Sequence, residues 1–114
     1  MILPAISIRE PWASMIAKGE KTIEVRSWST QHRGKIILCA SRKPAGPHAG
    51  NAFALAEVED VRPMAPEDKE KTGGGVYDPA CFSWVLKNVQ KFNQFPISGR
   101  LGIFKIDTKL KKSL

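Results

Sequence analysis

Residues 19–26 read Gly19-Glu20-Lys21-Thr22-Ile23-Glu24-Val25-Arg26. Gly19 is suited to end a helix, and the apolar and polar side chains that follow it alternate as in a half-buried strand. Ile23 and Val25 therefore face the core, while Glu24 and Arg26 share the polar face. On a regular strand Lys21 faces away from Glu24. The two side chains meet only if Lys21 belongs to the turn before the strand, or if a bulge intervenes.

Lys21, Glu24 and Arg26 are the residues of this segment that could carry chemistry. A lysine beside a carboxylate can polarise a carbonyl or hold an anion, and the carboxylate can accept a proton from water. Arg26 can pair with Glu24 or bind a phosphate. The alternative is a solvated, charged strand face, and spacing alone favours that alternative.

The rest of the chain predicts an α+β domain of about six strands and one short helix. Pro11 and Gly19 bound the helix, whose Trp12, Met15 and Ile16 form one apolar face. Alternating or apolar runs predict the strands, at residues 4–8, 21–28, 34–40, 52–61, 82–86 and 101–106. Residues 63–78, which include three consecutive glycines, predict a long flexible loop. The sum is a small mixed β-barrel.

Length and composition favour one domain over residues 1–114, with a basic tail at residues 108–114 that contains Lys109, Lys111 and Lys112. No apolar run approaches the ~20 residues that cross a bilayer, and the N-terminus does not resemble a secretion signal. A cytoplasmic protein with no membrane contact is therefore expected, with a monomer as the default. Cys39 and Cys81 lack metal-ligand spacing and predict buried free thiols, so neither a metal site nor a cofactor is expected.

The net charge of +7 is unevenly distributed along the chain. Lysines and arginines outnumber acids by five in residues 1–50 and by six in residues 81–114, whereas acids are in excess by four in residues 51–80. A basic surface attracts polyanions by counterion release. Many basic proteins bind no nucleic acid, so charge alone does not decide between these interpretations.

Three aromatic residues have two interpretations each. Trp12 and Trp28 belong either to the core, which is the commoner role, or to a surface on which a base stacks. Tyr77, beside the glycine run, either closes a pocket or anchors its own loop.

Residues 6–14 and 19–28 together resemble the ASCH (activating signal cointegrator homology) family. Its signature, G-x-K-x-x-E-x-R, is complete at Gly19, Lys21, Glu24 and Arg26. His32-Arg33-Gly34 is similar to the family's turn into the next strand. Residues 77–86 and 95–104 resemble the closing strands of short bacterial and phage members, so the resemblance spans about residues 3–107.

The resemblance implies a PUA-like barrel, with a pocket between helix and barrel that binds RNA or nucleotides. Some small bacterial relatives hydrolyse the amide of N4-acetylcytidine, and a ribonuclease activity has been attributed to others. A metal-independent amidohydrolase acting on N4-acylated cytidine nucleosides is the function that this implies. Lys21 and Glu24 are then the catalytic residues, and the substrate-binding residues are Trp12, Arg26, Trp28 and Tyr77.

One departure concerns the catalytic residues. The bacterial acetylcytidine hydrolases have Lys-x-x-Thr where this chain has Lys21 and Glu24, and they use a glutamate from a later loop. Glu67 and Glu70 lie in a comparable stretch, and the sequence does not decide which of them, if either, corresponds to that glutamate. A mechanism based on Glu24 is chemically reasonable, because larger relatives of the same activity class also carry glutamate there.

Two alternatives to the amidohydrolase stay open. The charge distribution, the basic tail and the family's link to RNA favour a non-catalytic RNA-binding module. A ribonuclease ranks third, because Glu24 with His32 is the only acid–base pair near the signature.

Overall fold

The structure is a computed structural model, and it describes residues 1–108. Those residues form six strands, one short α-helix and one 3-10 helix. In chain order the elements are β1 (Ile2–Ile8), α1 (Trp12–Ala17), β2 (Ile23–Arg26), β3 (Gly34–Ala40), β4 (Asn51–Pro63), the 3-10 helix (Pro66–Lys71), β5 (Phe82–Pro96) and β6 (Phe104–Asp107). Of the predicted basic tail, only Thr108 lies within the described residues.

All six strands belong to one mixed sheet, in the order β2-β5-β4-β3-β1-β6. The β1–β3 pair is parallel, and the other neighbours are antiparallel. Within residues 1–108 the edge strands β2 and β6, each four residues long, do not pair with each other. The predicted PUA-like α+β fold is confirmed, with an open sheet in place of a closed barrel.

The central strand β3 is buried on both of its faces, which explains its nearly continuous apolar sequence. Ile36 and Leu38 pack into one core cluster, together with residues of α1. Ile37 and Cys39 point the other way, into a second cluster. As predicted, both cysteines are free thiols, although Cys81 is only half-buried; burial raises the pKa of Cys39 to about 12.

Strand β5 is much longer than predicted, because it continues from residue 86 to Pro96. In this extension the apolar side chains Val89, Phe92 and Phe95 recur every third residue, which hides the two-residue period of a strand. The register between β4 and β5 shifts at three places, and such bulges move side chains from one face to the other. No helix within residues 1–108 is long and apolar enough to cross a membrane.

The 3-10 helix lies in the segment predicted to be a long flexible loop, and a buried carboxylate anchors it. Asp68 is only 3% exposed. It accepts hydrogen bonds from Arg62 Nη2 at 2.6 Å, from the Ala65 N–H at 2.9 Å and from Ser83 Oγ at 2.9 Å. These bonds fix the helix against β4 and β5. The chain is therefore held in place up to Thr72, which follows the helix and is 1% exposed.

We expect Asp68→Ala to lower the free energy of unfolding by about 2 kcal/mol at neutral pH, because buried donors lose their acceptor. Burial acts to raise the pKa of Asp68, but the hydrogen bonds from Ala65 and Ser83 and the charge of Arg62 lower it below 3.8. A carboxylate with a lowered pKa stabilises the fold above its ordinary pKa, and this contribution is lost as the pH falls through the lowered value. The difference in the free energy of unfolding between wild type and Asp68→Ala should therefore become smaller at acidic pH.

Urea unfolding monitored by tryptophan fluorescence at several pH values measures both effects. Glu67→Ala, on the exposed face of the same 3-10 helix, is the matched control and should change stability by less than about 0.5 kcal/mol. Equal stability of Asp68→Ala and wild type at neutral pH would contradict the anchoring role.

Candidate functional site

The turn between α1 and β2 delivers Lys21 to the site. Gly19 has a φ of +80°, a conformation that glycine adopts without strain, and the chain reverses there. The N–H groups of Glu20 and Lys21 both donate to the Met15 carbonyl, at 2.9 and 3.2 Å. Strand β2 begins only at Ile23. Of the two ways in which Lys21 could meet Glu24, a turn before the strand or a bulge, the structure shows the turn, and the strand predicted at residues 21–28 is shorter at both ends.

The ammonium group of Lys21 is buried, with 4% of the residue exposed. Its Nζ donates to the Thr72 carbonyl at 2.7 Å and lies 3.2 Å from Glu24 Oε1. Thr72 is itself held by a 2.7 Å hydrogen bond from its Oγ1 to the Lys69 carbonyl. An ammonium has three N–H groups, so one remains for a ligand.

Glu24 links Lys21 to Arg26. Its Oε2 accepts from Arg26 Nε at 3.0 Å and lies 2.8 Å from Arg26 Nη2. The same Nη2 donates to the Ser7 carbonyl on β1 at 2.6 Å. A continuous chain of polar contacts thus runs from Thr72 through Lys21, Glu24 and Arg26 to β1. Charge-assisted hydrogen bonds of this kind hold a carboxylate in one orientation.

Burial controls the titration of Lys21. Loss of solvation lowers the pKa of Lys21, and the charge and hydrogen bond of Glu24 only partly offset this. Arg26 lowers the pKa further by repulsion, so the net pKa lies below the ordinary value of 10.5. In this environment the ammonium group of Lys21 is more acidic than that of a solvated lysine.

The Lys21–Glu24–Arg26 chain lies in the wall of a cavity of about 320 Å³, which we call the signature cavity. Its lining residues are Ser7, Arg9, Trp12, Lys21, Glu24, Val25 and Arg26. Trp12 is 40% exposed, so its ring is a cavity wall and not part of the core. The volume lies within the usual range for small-ligand sites, and a flat aromatic wall beside charged groups suits a nucleobase.

The structure does not bring Trp28 and Tyr77 into the signature cavity. Trp28 packs edge-to-face against Trp84, with ring centroids 4.8 Å apart, and its carbonyl accepts from Trp84 Nε1 at 3.3 Å. Tyr77 lies on the loop before β5 and is 37% exposed. Trp28 thus adds to the core, which is the commoner role for a tryptophan.

The other candidate acids and bases also lie elsewhere. Glu67 and Glu70 are exposed on the 3-10 helix, outside the lining of the cavity. His32 contacts the Lys35 carbonyl through Nε2 at 2.8 Å, as expected of a turn residue. Residues 1–108 contain no group of three or more histidines, cysteines or acids placed to hold a metal ion.

Sequence reasoning missed a second cavity of about 550 Å³, which we call the arginine cavity. It shares Ser7, Arg9 and Arg26 with the signature cavity, and Arg42 and Arg100 also line it. These arginines are far apart in the sequence and gave no local motif. The uneven charge distribution was the only signal in the sequence that pointed to them.

Comparisons with known proteins agree with this fold. The ASCH domain family model matches residues 6–96, which is most of the chain. The chain therefore belongs to the ASCH domain family, whose PUA-like fold is associated with RNA binding.

Two relatives and two solved structures are similar to the chain. Activating signal cointegrator 1 from Homo sapiens and from Mus musculus are each 25% identical over 130 aligned residues, covering 92% of this chain. The chain spans only 22% of the length of these relatives. The crystal structure of ASCH from Zymomonas mobilis aligns with a TM-score of 0.66 and 12% identity, over 96% of this chain and 91% of that one. A mutant of that protein aligns with a TM-score of 0.68 and 12% identity, over 96% and 93%.

We expect Lys21 to titrate below 10.5 in an NMR titration of its side chain, because burial disfavours the ammonium. In Glu24→Gln the pKa of Lys21 should fall further, since the carboxylate is the group that raises it. Glu20→Gln removes a carboxylate from an exposed position of the same turn and should leave the titration unchanged. A rise in the pKa of Lys21 in Glu24→Gln would contradict the ion pair.

Proposed function

We propose that this protein is an amidohydrolase that removes the acyl group from N4-acetylcytidine or a related N4-acylated cytidine. The observation that carries the proposal is the approach of Lys21 Nζ to Glu24 Oε1 at 3.2 Å in the wall of a cavity that Trp12 borders. Hydrolysis of an amide needs a base for water and a donor for the oxyanion. Glu24 and Lys21 supply one of each.

The reaction starts when Glu24 accepts a proton from a water molecule and the water oxygen attacks the acyl carbon. The carbonyl oxygen becomes negative, and the free N–H of Lys21 donates a hydrogen bond to it. The bond between the acyl carbon and N4 then breaks, and Glu24 returns its proton to N4. The products are cytidine and the carboxylic acid, so no metal or cofactor enters the balance.

Two further residues support this chemistry from the cavity wall. Trp12 provides a face on which the pyrimidine stacks, because it is the large aromatic side chain that borders the cavity. Arg26 positions Glu24 through two contacts to Oε2 and is itself fixed by the Ser7 carbonyl. Trp28 and Tyr77 have no part in this proposal, since they lie outside the cavity lining.

We expect the wild-type protein to convert N4-acetylcytidine into cytidine. The change in ultraviolet absorbance measures this conversion. Glu24→Gln should lower kcat by about 10²–10⁴-fold, because the amide cannot accept the proton from water. Glu20→Gln, an isosteric change in the adjacent turn, is the matched control and should retain wild-type kcat.

Absence of cytidine at high enzyme concentration would exclude this activity. A wild-type kcat in Glu24→Gln would instead show that another group is the base.

Trp12→Ala should raise KM by about tenfold with a smaller change in kcat, because base–aromatic stacking contributes about 1–3 kcal/mol to binding. Trp28→Phe is the comparison for the second tryptophan, and it should lower the melting temperature without raising KM. The reverse pattern, with KM raised only in Trp28→Phe, would show that the base does not stack on Trp12.

A second candidate function is a non-catalytic RNA-binding module, and the arginine cavity is the observation that favours it. This module would bind single-stranded RNA with an affinity that falls as salt rises, and would not hydrolyse N4-acetylcytidine. Neutralising Lys109, Lys111 and Lys112 tests the contribution of the tail.

The ribonuclease hypothesis loses its support, because His32 lies outside the lining of the signature cavity.

A further inference from the structure

The arginines of this protein fall into two groups by their partners. Arg26, Arg33 and Arg62 each lie within 4.0 Å of a carboxylate, which belongs to Glu24, Asp60 or Asp68. The side chains of Arg9, Arg42 and Arg100 are exposed and form no ion pair or hydrogen bond with any residue from 1 to 108.

The unpaired arginines share one location, the wall of the arginine cavity. The residues that line this cavity include no aspartate and no glutamate. Like charges brought together without acids repel one another unless an anion balances them. Guanidinium groups bind phosphate or carboxylate oxygens through paired N–H donors, and phosphate is the one of these anions that a nucleotide carries.

Backbone hydrogen bonds hold the chain next to Arg42 and at the start of the segment that carries Arg100. Arg42 follows Ser41, whose N–H donates to the Ile8 carbonyl at 3.0 Å. The segment that carries Arg100 begins at Ile97, whose N–H donates to the Gly50 carbonyl at 3.1 Å. The fold therefore holds the backbone beside Arg42, while Arg100 projects from the exposed segment that follows Ile97.

The buried carboxylate of Glu10 holds the loop that carries Arg42. Glu10 is 2% exposed and accepts from the N–H groups of Ser14 and His48, both at 2.9 Å. It also packs against Gly46 so closely that a Cβ there would lie 2.5 Å from Glu10 Cγ. Glu10 thus joins α1 to the loop of residues 41–50. Trp12 of α1 lines the signature cavity and Arg42 of the loop lines the arginine cavity, so Glu10 also connects the walls of the two cavities.

The boundary between the two cavities contains an unsatisfied polar atom. Ser7 lines both cavities, and its Oγ is the buried side-chain oxygen within residues 1–108 that has no hydrogen-bond partner. Buried polar atoms are nearly always paired in folded proteins, so an unpaired one needs an explanation. The backbone of Gly99 covers this oxygen, since a Cβ at Gly99 would lie 2.6 Å from it. A small shift of the exposed segment from Ser98 to Gly102 would offer Ser7 Oγ to a ligand that spans the boundary.

We propose that the arginine cavity is a phosphate-binding site for the nucleotide whose base occupies the signature cavity. The preferred ligand is then a phosphorylated cytidine, either a mononucleotide or a nucleotide within RNA, and not the free nucleoside. Arg42 and Arg100 bind the phosphate, while Arg9 faces both cavities. Ile97 and Leu101 add apolar surface to the same wall, which suits a ligand with a sugar as well as a charge.

This inference rests on the proposed function for the position of the base, but it has a test that needs no hydrolysis. Isothermal titration calorimetry compares cytidine, cytidine 5′-monophosphate, cytidine 3′-monophosphate and a short uridine-rich RNA with a single cytidine. We expect the phosphorylated ligands to bind about tenfold more tightly than cytidine at low salt, with an advantage that declines as salt rises. In the double variant Arg42→Gln/Arg100→Gln the affinity ratio of phosphorylated ligand to nucleoside should fall towards one.

Lys91→Gln, an exposed cation on β5 outside both cavities, is the matched control and should keep the wild-type ratio. A larger advantage for RNA than for either monophosphate assigns the site to a phosphate within a strand, and equal advantages assign it to a mononucleotide. Equal affinity of wild type for cytidine and its phosphates, or a ratio unchanged in the double variant, would overturn the inference. Phosphate-dependent binding without hydrolysis of N4-acetylcytidine would support the inference and reject only the proposed reaction.

Discussion

The site depends on one constraint, the need to satisfy a buried ammonium group. Lys21 is almost fully removed from solvent, and a buried charge without partners is strongly unfavourable. Its partners come from two separate parts of the chain, the Thr72 carbonyl at 2.7 Å and Glu24 Oε1 at 3.2 Å. Because Glu24 in turn binds Arg26, and Arg26 binds the Ser7 carbonyl, this one cation connects the turn after α1 with β2, β1 and the end of the 3-10 helix. Thr72, which is 51 residues from Lys21 in the sequence, therefore supports the segment of residues 19–26.

The electrostatics of the surface follow from the same arrangement. The signature cavity has three cations and one acid in its lining, and the acid, Glu24, contacts two of these cations. The arginine cavity beside it has four arginines and no acid in its lining. A neutral base and an anionic phosphate differ in charge in the same sense, and a nucleotide joins them through its sugar. The pairing of an aromatic, polar cavity with a cationic one thus matches the two halves of a nucleotide.

The sequence predicted the parts of the fold that depend on local pattern. The run of residues 34–40 predicted a buried strand, and the alternation of side chains showed that Lys21 could meet Glu24 only from a turn or across a bulge. The length of β5 was not predictable, because its bulges change the side-chain period. The Thr72 carbonyl was not predictable either, because backbone acceptors leave no trace in a sequence. Trp12 and Trp28 look alike in sequence, and only the packing of Trp28 against Trp84 separates a core residue from a cavity wall.

A crystal structure of the protein with bound cytidine would show whether Lys21 and Glu24 meet the exocyclic amine of the base. We expect the pyrimidine ring on Trp12, with its exocyclic amine within hydrogen-bonding distance of Lys21 Nζ and a Glu24 oxygen, and the ribose directed towards Arg42 and Arg100. Cytidine bound elsewhere, or bound in the signature cavity with its amine turned away from Lys21 and Glu24, would contradict this expectation.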